Sequence, residues 1–459
     1  MKISVINGSP KGDLSVTLQY INFIQKKYPR HEFHVHHVGQ RIRKIEKDEN
    51  AFREIIEDVK ASDGVIWSVP LYVLLIPSQC KRFIELIGER GVESAFRGKY
   101  AAVLTTSIHF FDHTAHNYMN AVCDDLGMKY AGGYSPDMFD LMKDECREGL
   151  LLFAESFFEH AEKGYPTARN FPPLRPVEAR YTPGPVKEKT VLKGKRALIL
   201  TDSLSEGSNL AAMIRRFRES FDGEVESVSL ESIDIRGGCL GCIRCGFDNV
   251  CAYDGKDGYR PFYEKSLLPA DLLILAGSLK DRYLSSDWKE FFDRSFFNTH
   301  TPTLIGKQIG FLISGPLGQI PNLREIFQAY AEFQQANLAG IVTDESPDSG
   351  ETDALLENLA RRMVDYAVRG YIKPATFLGV GGMKIFRDDI WGRLRFAFQG
   401  DHKYYTDHGL YDFPQEDAKS QEINKMMFEL TKDPVMREQV RKMIKTEMVK
   451  PHQKVVETK

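Results

Sequence analysis

The sequence lacks several features that would decide its class at once. Its formal charge at pH 7 is only −3, from 61 basic and 64 acidic side chains, so no overall attraction to nucleic acid or an anionic membrane is expected. No apolar run approaches the roughly 18 residues that a membrane helix needs, and the start of the chain reads as a buried strand rather than a signal peptide. These absences predict a soluble cytoplasmic protein that binds neither nucleic acid nor membrane.

Cysteine is also scarce, with seven residues in a chain of 459, yet four of them lie close together. Cys239, Cys242, Cys245 and Cys251 follow the spacing Cys-x2-Cys-x2-Cys-x5-Cys. Four thiolates at this density suit a tetrahedral zinc ion or a [4Fe–4S] cluster, and the successive x2 gaps favour the cluster. Reduced thiols without a ligand are the remaining structural alternative. Disulfides are not expected, because nothing places the chain in an oxidising compartment.

Short apolar runs alternate with amphipathic stretches through the first third of the chain. The pattern predicts helices near residues 49–61, 77–91 and 113–127. It predicts strands over Ile3–Asn7, Glu32–Val38, Gly64–Val69 and Ala101–Thr106. Such alternation is typical of an α/β domain with a doubly wound parallel sheet.

The same pattern begins again after a proline-rich stretch. Arg196–Thr201 repeats the first predicted strand, Leu272–Gly277 the third and Gln308–Ile313 the fourth. The second copy carries about thirteen or fourteen extra residues between its first and third strands, and the four cysteines lie there. The sequence therefore predicts two copies of one fold, with the cysteine loop only in the second.

The predicted domains follow from this repeat. We expect one doubly wound domain over residues 1–165, a linker over 166–193 and a second domain over 194–372. A C-terminal extension, residues 373–459, would belong to neither copy. Its aromatic part, Phe386 to Phe413, reads as loop, and residues 417–448 read as one or two helices.

Ligands bind such sheets outside the carboxyl ends of the strands. After the first strand, Gly8-Ser9-Pro10-Lys11 leads into Ser15 and Thr17 at a helix start, where amides, hydroxyls and one lysine could surround a monophosphate. After the third strand, Pro70-Leu71-Tyr72 could present an aromatic ring to a flat heterocycle. The alternative for Tyr72 is an ordinary surface or interface tyrosine.

These two loops resemble those of NAD(P)H-dependent FMN reductases of flavodoxin-like fold, and the cysteine stretch resembles that of the iron–sulfur flavoproteins in the same superfamily. The second copy departs from the pattern, with Asp202-Ser203 in its first loop and Gly277-Ser278-Leu279-Lys280 in its third, so FMN is expected mainly in the first. The resemblance implies that the FMN phosphate is held by Ser9, Lys11, Ser15 and Thr17. It implies that the isoalloxazine ring is bordered by Pro70, Leu71 and Tyr72, and that its other edge is closed by Thr106 and Ser107. It also implies that a [4Fe–4S] cluster is ligated by Cys239, Cys242, Cys245 and Cys251.

The function implied by this resemblance is a flavin-dependent oxidoreductase that passes electrons between FMN and the cluster, with the cysteines of one copy close to the flavin of the other. The donor would be NAD(P)H or ferredoxin and the acceptor a small molecule. No catalytic residue is identified, and a homo-oligomer is left open. Two alternatives are an NAD(P)H-dependent FMN or quinone reductase without a cluster, and a non-catalytic electron carrier. His109, His113 and His116 are interpreted as a flavin roof rather than as metal ligands.

Overall fold

The computed structural model describes residues 1–202 and 205–457, so Ser203 in the first loop of the second copy lies outside the described residues. Residues 1–402 form one compact unit, and the residues from Lys403 onward form another. The strands are β1 (Lys2–Asn7), β2 (Glu32–His36), β3 (Gly64–Pro70), β4 (Tyr100–Thr106), β5 (Lys129–Tyr134), β6 (Thr190–Val191), β7 (Ala197–Thr201), β8 (Phe221–Asp222), β9 (Val225–Ser229), β10 (Leu272–Ser278), β11 (Gln308–Ser314) and β12 (Asn337–Thr343).

Fifteen α-helices lie between and after these strands in the described chain. They are α1 (Val16–Lys27), α2 (Val38–Lys47), α3 (Glu49–Ala61), α4 (Ser78–Glu89), α5 (Asp112–Asp125), α6 (Asp144–Lys163), α7 (Asn209–Glu219), α8 (Tyr259–Phe262), α9 (Ser286–Arg294), α10 (Pro321–Phe333), α11 (Ser349–Arg369), α12 (Phe377–Trp391), α13 (Gln399–Asp407), α14 (Ala418–Leu430) and α15 (Pro434–Glu457). None of these helices combines the length and hydropathy required to span a bilayer.

The strands form two five-stranded sheets of the same topology. The first has the order β2-β1-β3-β4-β5, and the second, read from β9, has the order β9-β7-β10-β11-β12. All neighbouring strands in both sheets are parallel. This 2-1-3-4-5 order is that of the flavodoxin-like fold, in which ligands bind where the strand order reverses, beside β1 and β3. The predicted fold class and its duplication are confirmed.

The duplication extends to irregular details. In the first sheet the register between β4 and β5 shifts between Ala101 and Ala102. In the second sheet it shifts between Ile309 and Gly310, at the corresponding place in β11. Because a bulge reflects a local sequence requirement rather than the general needs of a sheet, its recurrence supports descent of both halves from one ancestor.

Each sheet packs its helices over a separate hydrophobic core. The first core includes Ile3, Val5 and Ile66 from the strands, and the second includes Ile199 and Ile274. The strands read as continuous apolar runs because both faces of a parallel sheet are covered by helices. Tight burial fixes the strand ends, and with them the loops that carry the candidate site.

Two sequence expectations about helices need correction. The interpretation of Phe386 to Phe413 as loop was wrong, because α12 and α13 occupy much of that range. Phe386 and Ile390 are both buried and stand one helical turn apart, so the aromatic residues there form a packing face. Helix α2, absent from the sequence interpretation, also follows β2 directly.

Helices α4 and α9 hold the two sheets together through reciprocal contacts. The backbone N–H of Ser78, at the start of α4, donates to Asp293 Oδ2 at 2.7 Å. The backbone N–H of Ser286, at the start of α9, donates to Glu85 Oε1 at 2.6 Å. Each helix start is therefore completed by a carboxylate from the other half, as in the isologous interface of a symmetric dimer.

Candidate functional site

The loop after β1 is rigid and tightly hydrogen-bonded. The backbone N–H of Ser9 donates to Asn7 Oδ1 at 3.1 Å, and the side-chain amide of Asn7 donates to the carbonyl of Gly12 at 3.2 Å. The Ser9 hydroxyl accepts from the backbone N–H of Lys11 at 3.3 Å. Helix α2 closes the back of the loop, since a Cβ on Gly39 would lie 2.3 Å from the carbonyl oxygen of Gly8. The loop thus has one fixed shape.

Two further predicted phosphate residues lie at the start of α1. Ser15 caps the helix, and its side chain accepts from the backbone N–H of Leu18. The Thr17 hydroxyl is hydrogen-bonded to the Thr106 hydroxyl at 2.6 Å, which joins the loops after β1 and β4. Both Ser15 and Thr17 are fully buried in this arrangement. The structure therefore brings the predicted residues of these two loops together around one helix N-terminus.

The proline–tyrosine loop lies beside them. Pro70 ends β3, and the backbone N–H of Leu71 donates to the carbonyl of Thr106 at 3.4 Å. Tyr72 and Leu75 close a tight turn by exchanging backbone hydrogen bonds of 2.7 and 3.1 Å. The predicted residue Ser107 lies at the end of β4, where its hydroxyl accepts from the backbone N–H of His109 at 2.9 Å.

The turn at Tyr72 contains unusual backbone conformations. Val73 and Leu74, between its two ends, have φ angles of 37° and 66°. Left-handed backbone is costly for side chains of this kind, so its presence indicates a turn held by its surroundings. The corresponding turn of the second half has the same left-handed backbone, with Asp281 and Arg282 at φ angles of 46° and 61°.

The cysteine loop of the second half lies directly on Tyr72. A Cβ placed on Gly241 would lie 1.8 Å from the Tyr72 hydroxyl oxygen and 3.6 Å from Cδ of Lys11. Gly241 also has a φ of +62°, so the turn between Cys239 and Cys242 requires glycine for two reasons. Next to it, Gln79 donates to the carbonyl of Cys239 at 3.1 Å.

All four clustered cysteines line one cavity. Leu240, Ile243, Tyr253, Arg294 and Phe297 contribute further to its wall. Cys242 is exposed and Cys245 is buried, while Cys239 and Cys251 are half-buried.

Buried cations surround these thiols. The Cys239 thiol interacts electrostatically with Lys11 from the first half and Lys289 from the second. Burial lowers the pKa of both lysines, and the proximity of Cys239 opposes that shift. Arg294, which is paired with Asp257, interacts in the same way with Cys251. Lys289 is likewise paired with Asp293, so both cations from α9 already have a carboxylate partner.

Two of the thiols, those of Cys239 and Cys245, are held in the protonated form when no ligand is bound. Burial raises the pKa of Cys239 well above its usual value, although the backbone N–H of Gly241 donates to its sulfur at 3.4 Å. Burial likewise raises the pKa of Cys245 to about 12, with neighbouring cysteines adding to the shift. Reactive free thiolates are therefore not expected here, because such cysteines have a lowered pKa.

Comparison with known proteins matches the first half. The family model for NADPH-dependent FMN reductase covers residues 1–136. This segment of the chain is therefore similar to the NADPH-dependent FMN reductases. An FMN-dependent NADH:quinone oxidoreductase from Vibrio parahaemolyticus is 39% identical over 61 residues, which is 11% of this chain and 31% of that protein. The match thus spans about a third of that relative's length.

Solved structures with similarity to the chain include two flavoenzymes. One is the NAD(P)H:(acceptor) oxidoreductase FerB from Paracoccus denitrificans, with 18% identity, a TM-score of 0.28, and coverage of 35% of this chain and 98% of that one. Another is an FMN-dependent NADH-azoreductase from Bacillus anthracis, with 15% identity, a TM-score of 0.27, and coverage of 36% and 99%.

Around the candidate site, a chain of polar side chains crosses the ends of β4 and β5. His116 Nε2 lies 2.9 Å from Thr105 Oγ1, which donates to Ser135 Oγ at 3.0 Å. Ser135 in turn donates to Asp112 Oδ2 at 2.7 Å, and His109 Nδ1 lies 2.9 Å from the same oxygen. Burial lowers the pKa of His116. The network links His109 to His116 through Asp112, Ser135 and Thr105.

His113 does not join this network. Its Nε2 lies 2.7 Å from Glu325 Oε1 on α10, so it connects the two halves. In the described part of the chain, no group of three or more histidine, cysteine or acidic side chains is arranged to hold a metal ion. This finding bears against zinc at the cysteines.

A [4Fe–4S] cluster differs from a single metal ion, because each of its four protein ligands binds a separate iron atom. The cavity fits an anionic, sulfur-rich group in one further respect. Arg294 lines it, and the Nε–H of Arg294 is buried without a hydrogen-bond partner among the described residues. A buried donor of this kind indicates an absent acceptor. The four thiols and Arg294 would suit such a group, whereas the lack of a metal-holding group among the described residues counts against it.

The second half presents two carboxylates directly after β7 and β12, Asp202 and Asp344. Asp344 accepts from Asn209 Nδ2 at 2.9 Å, from Ser314 Oγ at 2.6 Å and from the backbone N–H of Gly315 at 2.8 Å. Asp202 follows β7 and is hydrogen-bonded to Ser285. These carboxylates take the donors that a phosphate would need and would repel its charge.

Sequence reasoning missed several residues of this site. Arg294 and Lys289 carry no local motif, because their importance depends on how α9 packs against the first half. Gly241 could have been noticed, since a glycine between two closely spaced cysteines indicates a tight turn. Arg393 was also missed; it pairs with Asp137 in the loop after β5.

Proposed function

We propose that the protein is a flavin-dependent oxidoreductase in which FMN in the first half exchanges electrons with a [4Fe–4S] cluster held by the four cysteines of the second. The observation that carries the proposal is the contact of the Cys239–Cys242 turn with Tyr72 and Lys11, two residues assigned to the flavin. When bound, FMN would handle electrons in pairs or singly, and a cluster would handle them singly.

The residues of the chain supply binding and electrostatics in this proposal. Ser9, Ser15 and the first turn of α1 would bind the FMN phosphate through hydrogen bonds and the helix dipole. Pro70, Leu71 and Tyr72 would border its ring, and Thr17, Thr106 and Ser107 would hold the neighbouring loop in place. Lys11 belongs to the loop after β1 and also lies near the Cys239–Cys242 turn, so its charge would favour added electrons on either group. NAD(P)H or ferredoxin as donor, a small-molecule acceptor and a cytoplasmic location complete the proposal.

The test begins with protein purified without oxygen. We expect flavin absorption, a broad shoulder lost on acid treatment, and iron and sulfide at about four per chain, as a [4Fe–4S] cluster requires. The double variant Cys242→Ser/Cys245→Ser should lose iron and sulfide, retain FMN and reduce that FMN slowly with a one-electron donor. Cys146→Ser is a matched control, because Cys146 lies on α6 outside the cysteine cavity.

Unchanged one-electron reduction of FMN in the double variant would refute the relay. A protein that contains FMN without iron or sulfide would instead be an NAD(P)H-dependent FMN or quinone reductase. The lack of a metal-holding group in the described residues favours that second candidate. Bleaching of the flavin by NAD(P)H without a mediator distinguishes a reductase from an electron carrier, and a carrier would turn over no added small acceptor.

A further inference from the structure

The hydroxyl of Tyr72 is buried and has no hydrogen-bond partner among the residues that the structure describes. A buried polar group left in this state costs about 1–3 kcal/mol. Buried polar groups nearly always have partners, so a specific exception calls for a ligand or a missing acceptor. Tyr72 therefore marks a position where something is expected to accept a hydrogen bond.

The tyrosine cannot turn away from this position. Lys289, from the second half, donates to the carbonyl of Tyr72 at 2.9 Å. The turn to Leu75 holds the tyrosine backbone on both its N–H and its carbonyl. Because Val73 and Leu74 are already in left-handed conformations, the turn has little freedom to rearrange.

The nearest chemistry to this hydroxyl is the cysteine turn. The hydroxyl oxygen lies against Gly241, between Cys239 and Cys242 in the sequence. Cys239, Asp293 and Cys242 all interact electrostatically with Tyr72. A thiolate that ligates a metal group carries negative charge and is a good hydrogen-bond acceptor. The position of the hydroxyl against the Cys239–Cys242 turn therefore suits donation to a ligating sulfur.

We infer that Tyr72 is a positioning residue that donates its hydroxyl hydrogen bond to the ligating sulfur of Cys239 or Cys242, and so raises the reduction potential of the iron–sulfur group. This inference rests on the proposed function. Reduction adds negative charge to the group, so a hydrogen bond to a ligand sulfur stabilises the reduced state more than the oxidised one. Tyr72, which would border the flavin ring, would thus also adjust the reduction potential of the iron–sulfur group.

The test is the variant Tyr72→Phe, which keeps the ring and removes only the hydroxyl. The matched control is Tyr118→Phe on α5, because the Tyr118 hydroxyl is also buried without a described partner. Both variants relieve an unsatisfied hydroxyl, so neither should impair folding. For each protein, iron, sulfide and FMN are counted, and the reduced-cluster signal in electron paramagnetic resonance is followed through a redox titration.

We expect Tyr72→Phe to lower the equilibrium constant for one-electron reduction about tenfold, which is about 59 mV for a one-electron couple, with cofactor content unchanged. Tyr118→Phe should leave the potential where it is. Full cluster content with an unchanged or raised potential in Tyr72→Phe overturns the inference and leaves the proposed function intact. Absence of iron and sulfide from the unaltered protein overturns both.

Discussion

The two halves share strand order, a β-bulge and a left-handed turn, yet they differ at the loops where chemistry would occur. The first half offers hydroxyls and a helix N-terminus after β1, whereas the second places Asp202 and Asp344 at the corresponding edge. The second half carries the cysteine loop after β9, and the first has no counterpart. The difference shows that two copies of one fold can keep the same scaffold while the loops at the edge of the sheet diverge.

This division depends on the interface between the halves. Both of its central helices carry a buried lysine–carboxylate pair, Lys81 with Glu85 on α4 and Lys289 with Asp293 on α9. These carboxylates also complete the opposite helix starts. The shared scaffold therefore includes the contacts that place the cysteines on the flavin loops, and the predictions below probe first that scaffold and then the diverged loops.

The largest effect is expected from breaking the shared interface with Lys289→Met. Asp293 would remain buried without its cation, and burial already raises the pKa of that carboxyl. Removing one partner of a fully buried pair typically costs about 3–5 kcal/mol, so urea unfolding should show a loss of that size. Lys60→Met removes an exposed pair with Glu57 and should leave the unfolding free energy nearly unchanged. Equal stability of both variants would contradict a structural role for the α9 pair.

A second experiment sharpens the contrast between the first loops. Ser15 caps α1 and Ser208 caps α7, each accepting from a backbone N–H three residues on. Replacing either by alanine should cost similar stability, about 1 kcal/mol. Only Ser15→Ala should weaken FMN binding, by about tenfold to a hundredfold, as expected for a hydrogen bond to a charged group.

Equilibrium dialysis or flavin fluorescence measures that difference directly. We expect the unaltered protein to bind one FMN per chain, because the carboxylates of the second half would repel a phosphate. Two FMN molecules per chain, or equal loss of binding in Ser15→Ala and Ser208→Ala, would show that the halves have not diverged in this function.

The smallest effect concerns pH. Burial raises the pKa of Asp202 to about 6; its hydrogen bond to Ser285 opposes the shift, and nearby Asp287 adds to it. The folded state thus holds this proton more tightly than the unfolded state, so the stabilisation is greatest below about pH 4 and declines as pH rises through 6. Asp202→Asn should remove about 1 kcal/mol of that decline, allowing for partial access of solvent.

The measurement is the difference in urea unfolding free energy between pH 4 and pH 7, compared for the unaltered protein and Asp202→Asn. Using the difference between proteins cancels other carboxyls that titrate in this range, such as Glu290, whose pKa burial raises to about 7. If the two proteins had the same pH profile, Asp202 would not be the cause of the decline in stability.

Much of the fold could be predicted because its signals are local. The runs that became β1, β3, β4 and β10 are continuous and apolar, and parallel strands buried on both faces leave that pattern in sequence. Helix α2 was missed because it follows β2 without a turn signal. The error over Phe386 to Phe413 arose because aromatic residues were taken as loop when their spacing fits a helix face.

The site was less predictable because it depends on contacts between halves. The spacing of the cysteines was visible, and so was the proline–tyrosine loop, since both are contiguous motifs. Their meeting at Gly241 was only a hypothesis, because a contact between residues so far apart in sequence depends on how α4 packs against α9. Arg294 and Lys289 could not be found at all, because a single basic residue on an amphipathic helix is ordinarily solvated.

The reciprocal completion of α4 and α9 has a consequence for the proline-rich connection between the halves. The backbone N–H groups of Ser78 and Ser286 donate to carboxylates across the interface. These contacts between the halves do not require that the chain be continuous. The connection adds contacts of its own, since Asp124 accepts from the backbone N–H groups of Asn170 and Phe171, and Arg282 donates to the carbonyl of Pro172. It also raises the local concentration of one sheet near the other, so every copy with the cysteine loop meets one without it.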